Sequence, residues 1–89
     1  MPKRGKLEIM RDILKLIQEN KALIKPTPLL RKSSLSSSRF KEYYAELLRR
    51  RLIKEVAGRK DKHIMLTENG FKFIERYKAI IDFIEEFDL

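Results

Sequence analysis

Apolar residues recur at helical spacing near the beginning of the chain and again near its end. The first set has the i, i+3, i+4, i+7 spacing of an amphipathic helix and consists of Met10, Ile13, Leu14 and Ile17. The second set alternates steps of four and three residues and consists of Phe73, Tyr77, Ile80, Ile84 and Phe87. These patterns predict a core helix over residues 7–20 and a long helix over residues 68–87, whose spacing is typical of a coiled-coil seam.

Between these helices, the chain first predicts an extended segment and then a short helix. Residues 22–25 are expected to be extended because Pro26 disfavours helical geometry in the residue before it. Thr27 suits the cap and Pro28 the first position of a short helix. Ser33 and the serine after it are expected to end this helix.

The next predicted helix follows a serine-rich turn, and Ser36 or Ser37 suits its N-cap. At about 100° per residue, its inward face comprises Phe40, Tyr44, Leu47, Leu48 and Arg51. Two helices joined by a short turn form a helix-turn-helix, whose second helix enters a DNA major groove. The candidate DNA contacts here are Lys32, Ser36, Ser37, Ser38, Arg39, Lys41, Glu42, Tyr43 and Arg49. Arg39 is the first choice for a base contact, to guanine.

Two β-like runs follow, over residues 52–57 and 62–67, and turn residues separate them. This order predicts a β-hairpin. Its tip adds three candidate DNA contacts, in the place where a basic wing would lie beside a duplex: Arg59, Lys60 and Lys62. The alternative is a charged loop in solvent. His63 lies on the return strand, and one histidine does not make a metal site.

Charge is unevenly distributed along the 89 residues. Residues 1–67 hold 18 lysines and arginines against seven acidic residues, a net charge of +11, whereas residues 68–89 hold three against six, a net charge of −3. This distribution favours a polyanionic partner for the body of the chain, although a generally charged surface is the alternative. Residues 1–6 form a basic arm that is expected either to contact DNA or to be solvated.

Composition excludes several classes of protein. The chain has no cysteine, so it has neither disulfides nor thiolate zinc sites, and this is compatible with a cytoplasmic location. It has no glycine-rich phosphate loop and no histidine cluster, so we expect no enzyme activity, cofactor or metal. Without an apolar run of about 18 residues, we expect no membrane association. Frequent charged residues, one glutamine and two asparagines are typical of thermophile proteins.

The predicted last helix has more large apolar side chains than a domain of this size is expected to cover. We therefore predict a homodimer in which two such helices pack together. Its interface would comprise Phe73, Ile74, Tyr77, Ile80, Ile81, Ile84 and Phe87. Phe71 is expected to pack on the body of its own domain. The alternative is that the whole helix packs back on its own subunit.

Several phrases of the sequence, in this order, resemble a known family. They are Thr27-Pro28-Leu29-Leu30, Leu35-Ser36, Tyr44-x-x-Leu47-Leu48-x-x-x-Leu52-Ile53 and Leu66-Thr67-Glu68-Asn69-Gly70. Over residues 7–88 the chain resembles the small archaeal winged-helix proteins, including dimeric 10a-type chromatin proteins and related transcriptional regulators. The resemblance implies double-stranded DNA as a partner and a homodimer through the last helix, often antiparallel. Many relatives have glycine where this chain has Arg51.

The predicted fold class is mainly α with a small β-hairpin (α+β): a winged helix-turn-helix with a long C-terminal dimerisation helix. Residues 1–6 are the arm, residues 7–67 the DNA-binding domain and residues 68–89 the dimerisation helix. The predicted function is a dimeric, nucleoid-associated transcriptional regulator with sequence preference. The alternatives are an architectural chromatin protein of low specificity and a winged-helix module that binds another protein.

Overall fold

Four helices and three strands follow one another along residues 5–89, the part of the chain that this computed structural model describes. In chain order they are α1 (Lys6–Glu19), β1 (Leu23–Ile24), α2 (Pro26–Ser33), α3 (Ser37–Arg49), β2 (Ile53–Ala57), β3 (Lys62–Leu66) and α4 (Glu68–Glu86). The predicted fold class is confirmed, including the long final helix. Residues 1–4 of the predicted basic arm lie outside the described residues, and Lys6, placed in that arm by the sequence, is the first residue of α1.

The strands form an antiparallel sheet with β3 in the middle, in the order β1-β3-β2. The predicted hairpin pairs Ile53 with Leu66 at its base and Ala57 with Lys62 near its tip. The short segment after α1 pairs with the other edge of β3, where Ile24 lies opposite Ile64. This pairing positions the hairpin against the helices, because Ile64 and Leu66 point into the core.

The core lies between α1, the sheet and the helices α2 and α3. The predicted stripe of α1 is confirmed, since Met10, Ile13, Leu14 and Ile17 are each no more than 1% exposed. Leu29 of α2, Leu47 of α3 and Ile64 of β3 are also completely buried among them. Burial of each such side chain contributes about 1.5–3 kcal/mol, so this core holds α3 against the rest of the domain.

The start of α2 differs from the prediction. Lys25, with an extended backbone (φ −78°, ψ 152°), is at the N-cap position, and the helix begins at Pro26 rather than at Pro28. Either proline suits the first helical position. Proline lacks a backbone N–H, but that N–H would have no hydrogen-bond partner in the first turn, and the φ of proline is already helical. Thr27 therefore lies inside the first turn and is not the cap.

Arg51 does not lie on the core face of α3, as the sequence pattern predicted. Helix α3 ends at Arg49, and Arg51 is exposed with a left-handed φ of 59°. Its N–H donates to the Leu48 carbonyl oxygen (3.0 Å), and its carbonyl oxygen accepts a hydrogen bond from Thr67 Oγ1 (2.6 Å). The helical period stops applying once the chain turns, so Arg51 connects α3 to the hairpin with its side chain in solvent.

Thr67 caps α4 as predicted, with its Oγ1 accepting a hydrogen bond from the Gly70 N–H (3.1 Å). Gly70 is required where α4 passes the base of the hairpin, because a Cβ would overlap the Leu52 carbonyl oxygen. The prediction that Phe71 packs on the domain body is wrong, since its side chain is 41% exposed. The close approach at Gly70 and Leu52 turns Phe71 outward, about 100° around the helix from Gly70.

Candidate nucleic-acid interface

Serine hydroxyls build the turn between α2 and α3. The buried Ser33 Oγ donates to the Leu30 carbonyl oxygen (2.7 Å) and accepts from the Leu35 N–H (3.3 Å), while Ser34 ends α2 with a left-handed φ of 61°. Ser36 caps α3, since its Oγ accepts from the Arg39 N–H (3.3 Å). The sequence left Ser36 and Ser37 as alternative caps, of which the structure has Ser36, and it did not indicate the buried Ser33, whose hydroxyl joins the end of α2 to the turn.

Most of the predicted contacts on the turn and α3 lie on one exposed surface, the α3 outer face. The structure exposes Lys32, Ser36, Ser37, Ser38, Arg39, Lys41, Glu42 and Arg49. Tyr43 differs because it is half-buried and packs against the hydrophobic core. The first turn of the outer face is therefore small and polar around Arg39.

A side-chain network joins α3 to both strands of the hairpin. The Tyr44 hydroxyl donates to the Glu55 carboxylate on β2, and Lys62 Nζ on β3 lies 3.0 Å from the same carboxylate. Hydrogen bonds from Tyr44 and Lys62 lower the pKa of Glu55, while burial and the hydrogen bond to Glu55 raise the pKa of Tyr44 well above its usual range. Lys62, predicted to contact DNA, thus has a partner within the protein.

The hairpin tip presents two cations to solvent. Arg59 and Lys60 are both exposed in the turn, which the Gly58 N–H closes by donating to the Asp61 carbonyl oxygen (2.8 Å). The Asp61 carboxylate lies 3.2 Å from Lys25 Nζ, so it links the tip to the beginning of α2. The structure therefore places the two predicted wing cations in solvent at the end of the hairpin.

An ion cluster on the C-terminal half of α3 was not predicted. The Glu46 carboxylate lies 2.7 Å from Lys6 Nζ and 3.4 Å from Arg50 Nε, and it forms a further ion pair with Arg49. Arg49 was predicted to contact phosphate, but no sequence pattern connects Lys6 with α3. The contact joins residues 40 positions apart, and only the fold of the chain brings the start of α1 to the side of α3.

Helix α4 divides its apolar residues between its own domain and solvent. Phe73 and Ile74 pack against the core, and Tyr77 lies under the Arg11 guanidinium, 4.6 Å from the ring centre. Ile81 is half-buried. The outer half of the helix instead exposes Ile80, Phe83, Ile84 and Phe87. Phe83 was not in the predicted interface, because its spacing does not follow the 4-3 alternation.

An apolar groove of about 380 Å³ lies beside the first half of α4. Its apolar lining comprises Leu7, Leu52, Phe73, Tyr77 and Ile80, and its polar lining comprises Asn69, Lys72 and Arg76. Leu7 is 57% exposed at the start of α1. Ile80 belongs both to the lining of this groove and to the exposed residues of the outer half of α4.

Two properties of residues 5–89 concern metal binding and membrane association. No group of three or more histidine, cysteine or acidic residues lies in a position to hold a metal ion. In that same range, each helix is too short or too polar to cross a membrane. His63 is half-buried on β3, with its ring beside Gly58.

A helix, a serine-built turn, a second helix with an exposed polar face and a hairpin with cations at its tip together define a winged helix-turn-helix domain. The family model described as winged helix-turn-helix matches residues 3–85. The chain belongs to this family. No curated protein matches it.

Three solved structures share the fold. The chain is similar to F93 from STIV, described as a winged-helix DNA-binding protein (TM-score 0.74, 19% identity, 89% of this chain and 91% of that one). It is similar to Sso10a-2, a DNA-binding protein from Sulfolobus solfataricus (TM-score 0.75, 20% identity, 94% and 85%). It is also similar to oxidised MarR from E. coli (TM-score 0.68, 18% identity), of which it spans about half: 75% of this chain and 48% of that one.

Proposed function

We propose that this chain is a non-catalytic, dimeric protein that binds double-stranded DNA and regulates transcription. The observation that carries the proposal is the combination of an exposed polar face on α3 with exposed cations at the hairpin tip, on a body with a net charge of +11 over residues 1–67. A polar helix face would suit a major groove, and a separate tip with cations would suit a wing on the flanking phosphates. Residues 1–6 would be the arm, residues 7–67 the DNA-binding domain and residues 68–89 the dimerisation helix.

The first turn of α3 would read bases. Arg39 is long enough to donate two hydrogen bonds to guanine O6 and N7, and Ser37, Ser38 and Glu42 lie within one turn of it. Other side chains of α2, the turn and α3 would contact phosphate and hold the helix in register: Lys32, Ser36, Lys41, Tyr43 and Arg49. On the wing that role falls to Arg59 and Lys60, and to Lys62 through donors not used by Glu55.

Dimerisation would occur through α4 and the groove beside it. Exposure of Ile80, Phe83, Ile84 and Phe87 on half of one helix is typical of a protein interface rather than of a monomer surface. Phe73, Ile74, Tyr77 and Ile81 would contribute only the parts of their side chains that their own domain leaves accessible.

Charge favours an antiparallel pair of α4 helices. The groove half of α4, residues 68–77, carries two cations and two acidic residues and has no net charge, whereas residues 78–86 carry one cation and three acidic residues, a net charge of −2. A parallel arrangement would place the two acidic halves together, while an antiparallel arrangement would place each acidic half beside the uncharged half of its partner. Two DNA-reading helices would then contact half-sites about 34–36 Å apart or a multiple of that distance.

An architectural chromatin role is the second candidate, and a specific observation favours it. The exposed first turn of α3 contains three serines and Arg39, so it offers one side chain able to make a bidentate base contact. A surface with few base readers and many cations binds most sequences similarly. Titration of a selected and a random duplex, followed by fluorescence anisotropy at several salt concentrations, tests both candidates.

The dimer needs a separate test. Ile84→Ser with Phe87→Ser removes two exposed apolar side chains, so we expect sedimentation equilibrium to change from a dimer to a monomer without loss of the fold. Phe71→Ser is the matched control because Phe71 is also exposed but lies on another side of α4. A wild-type chain that remains monomeric at micromolar concentration would contradict the dimer.

A further inference from the structure

Three cations from two helices converge on one carboxylate at the α3 outer face. The Glu46 carboxylate forms ion pairs with Lys6 at the start of α1, Arg49 at the end of α3 and Arg50 at the α3 C-cap. Arg49 and Arg50 lie three and four residues after Glu46, so they reach it along their own helix. Lys6 reaches it from outside the helix, which extends the cluster across the gap between α1 and α3.

The cations lie on the outer side of this cluster. The Glu46 side chain is 11% exposed, whereas those of Lys6, Arg49 and Arg50 are 57%, 72% and 54% exposed. The carboxylate thus lies beneath three positively charged groups, and together these four residues carry a net charge of +2. An anion that approaches from solvent meets the cations before it meets Glu46.

The three cations of this cluster can exchange Glu46 for another anion. Their side chains are more than half exposed, so water and salt screen their attraction to Glu46. A phosphate diester offers oxygens that accept the same hydrogen bonds from lysine and arginine as a carboxylate does. A backbone phosphate can therefore replace Glu46 as the anion that pairs with the three cations.

We propose that Lys6, Arg49 and Arg50 form a phosphate-contact site at the C-terminal end of α3, and that Glu46 occupies this site in the free protein. The proposal rests on the proposed DNA-binding function. It joins Lys6, which the sequence indicated only as part of a basic arm, and Arg50 to the predicted contact Arg49 in one site that Glu46 organises. Because phosphate contacts carry no sequence information, Glu46 lowers affinity for every duplex by a similar factor. The protein then dissociates more easily from random DNA than its net charge alone would allow.

A double-mutant cycle in DNA affinity tests the site with a random-sequence duplex. The four proteins are the wild type, Glu46→Gln, Lys6→Gln and the double variant, titrated by anisotropy at about 100 mM salt. Glu46→Gln is expected to tighten binding about threefold or more. In this variant Lys6, Arg49 and Arg50 have no carboxylate to leave when they bind phosphate. Lys6→Gln is expected to weaken binding by less than about twofold in the wild type but by about fivefold in the Glu46→Gln background.

The control is Glu75→Gln, which changes the charge equally at an exposed position of α4. Equal tightening by Glu75→Gln and Glu46→Gln would overturn the proposal, because net charge would then be the cause. An equal effect of Lys6→Gln in both backgrounds, or weaker binding by Glu46→Gln, would also overturn it while leaving the DNA-binding function intact. A wild-type chain that binds no duplex would overturn the proposed function itself, and the site with it. Circular dichroism melting establishes that each variant is folded.

Discussion

Arg51→Gly is expected to stabilise the domain, although it removes a long side chain. Arg51 is exposed and has a left-handed φ of 59° at the turn between α3 and the hairpin. Its two hydrogen bonds, to Leu48 and from Thr67, involve only its backbone N–H and carbonyl oxygen. Glycine can keep both bonds and adopts this backbone conformation without steric cost.

The magnitude follows from two opposing effects. An L-residue in the left-handed region costs about 1–2 kcal/mol, and glycine removes that cost. Glycine also has more conformational freedom in the unfolded chain, which offsets about 0.5–1 kcal/mol of the gain. The net increase in the free energy of unfolding is about 0.5–1 kcal/mol, which corresponds to a rise in Tm of about 2–8 °C for a domain of this size.

Thermal and urea denaturation followed by circular dichroism measures this change. Arg50→Gly is the matched control, because the neighbouring Arg50 has φ −85° and gains nothing from glycine, so we expect it to lower stability by about 0.5–1 kcal/mol. Arg51→Ala removes the same side chain but keeps a Cβ in the left-handed conformation. If Arg51→Gly were no more stable than Arg51→Ala, the reasoning from backbone conformation would be refuted.

Three further predictions concern the turn, the hairpin network and base reading. Ser36→Ala removes the cap of α3 and is expected to lower the free energy of unfolding by about 0.5–2 kcal/mol, measured by urea denaturation with the neighbouring exposed Ser37→Ala as control. The lowered pKa of Glu55 means that its contribution to stability is present above its unfolded pKa and is lost as the pH falls through its folded pKa. Glu55→Gln should therefore flatten the acid side of a stability profile, and an unchanged profile would contradict this assignment. Arg39→Ala is expected to weaken a selected DNA site by about 1–3 kcal/mol but random DNA much less, so an equal loss on both would show that Arg39 contacts only phosphate.

Local periodicity was sufficient to predict most of the fold. The stripe of α1 and the Thr67 cap depend on neighbours within a few positions, so the sequence contains the information directly. The same method failed for Arg51, because it extended the period of α3 beyond the residue at which that helix ends. It also misplaced the start of α2, because Pro26 and Pro28 both satisfy the rule that proline suits the first position of a helix.

The candidate site was predictable only in part. Exposure of Ser38 and Arg39 follows from the helical period, but the contacts that organise the site join distant parts of the chain. Glu55 meets Tyr44 only because β2 packs beside α3, and Glu46 meets Lys6 only because the fold brings the first residue of α1 to α3. Long-range pairs between charged surface residues have no repeating spacing, so no pattern in one sequence indicates them.

The central claim is that α3 and the hairpin bind duplex DNA with sequence preference. The most direct test titrates fluorescently labelled duplexes, one selected from genomic fragments and one random, and measures anisotropy at several salt concentrations. We expect the selected duplex to bind about 10³-fold more tightly than the random one, and the affinity for both to fall steeply as salt increases. Equal affinity for both duplexes would favour the chromatin role, and no binding at about 150 mM salt would contradict DNA binding as the function.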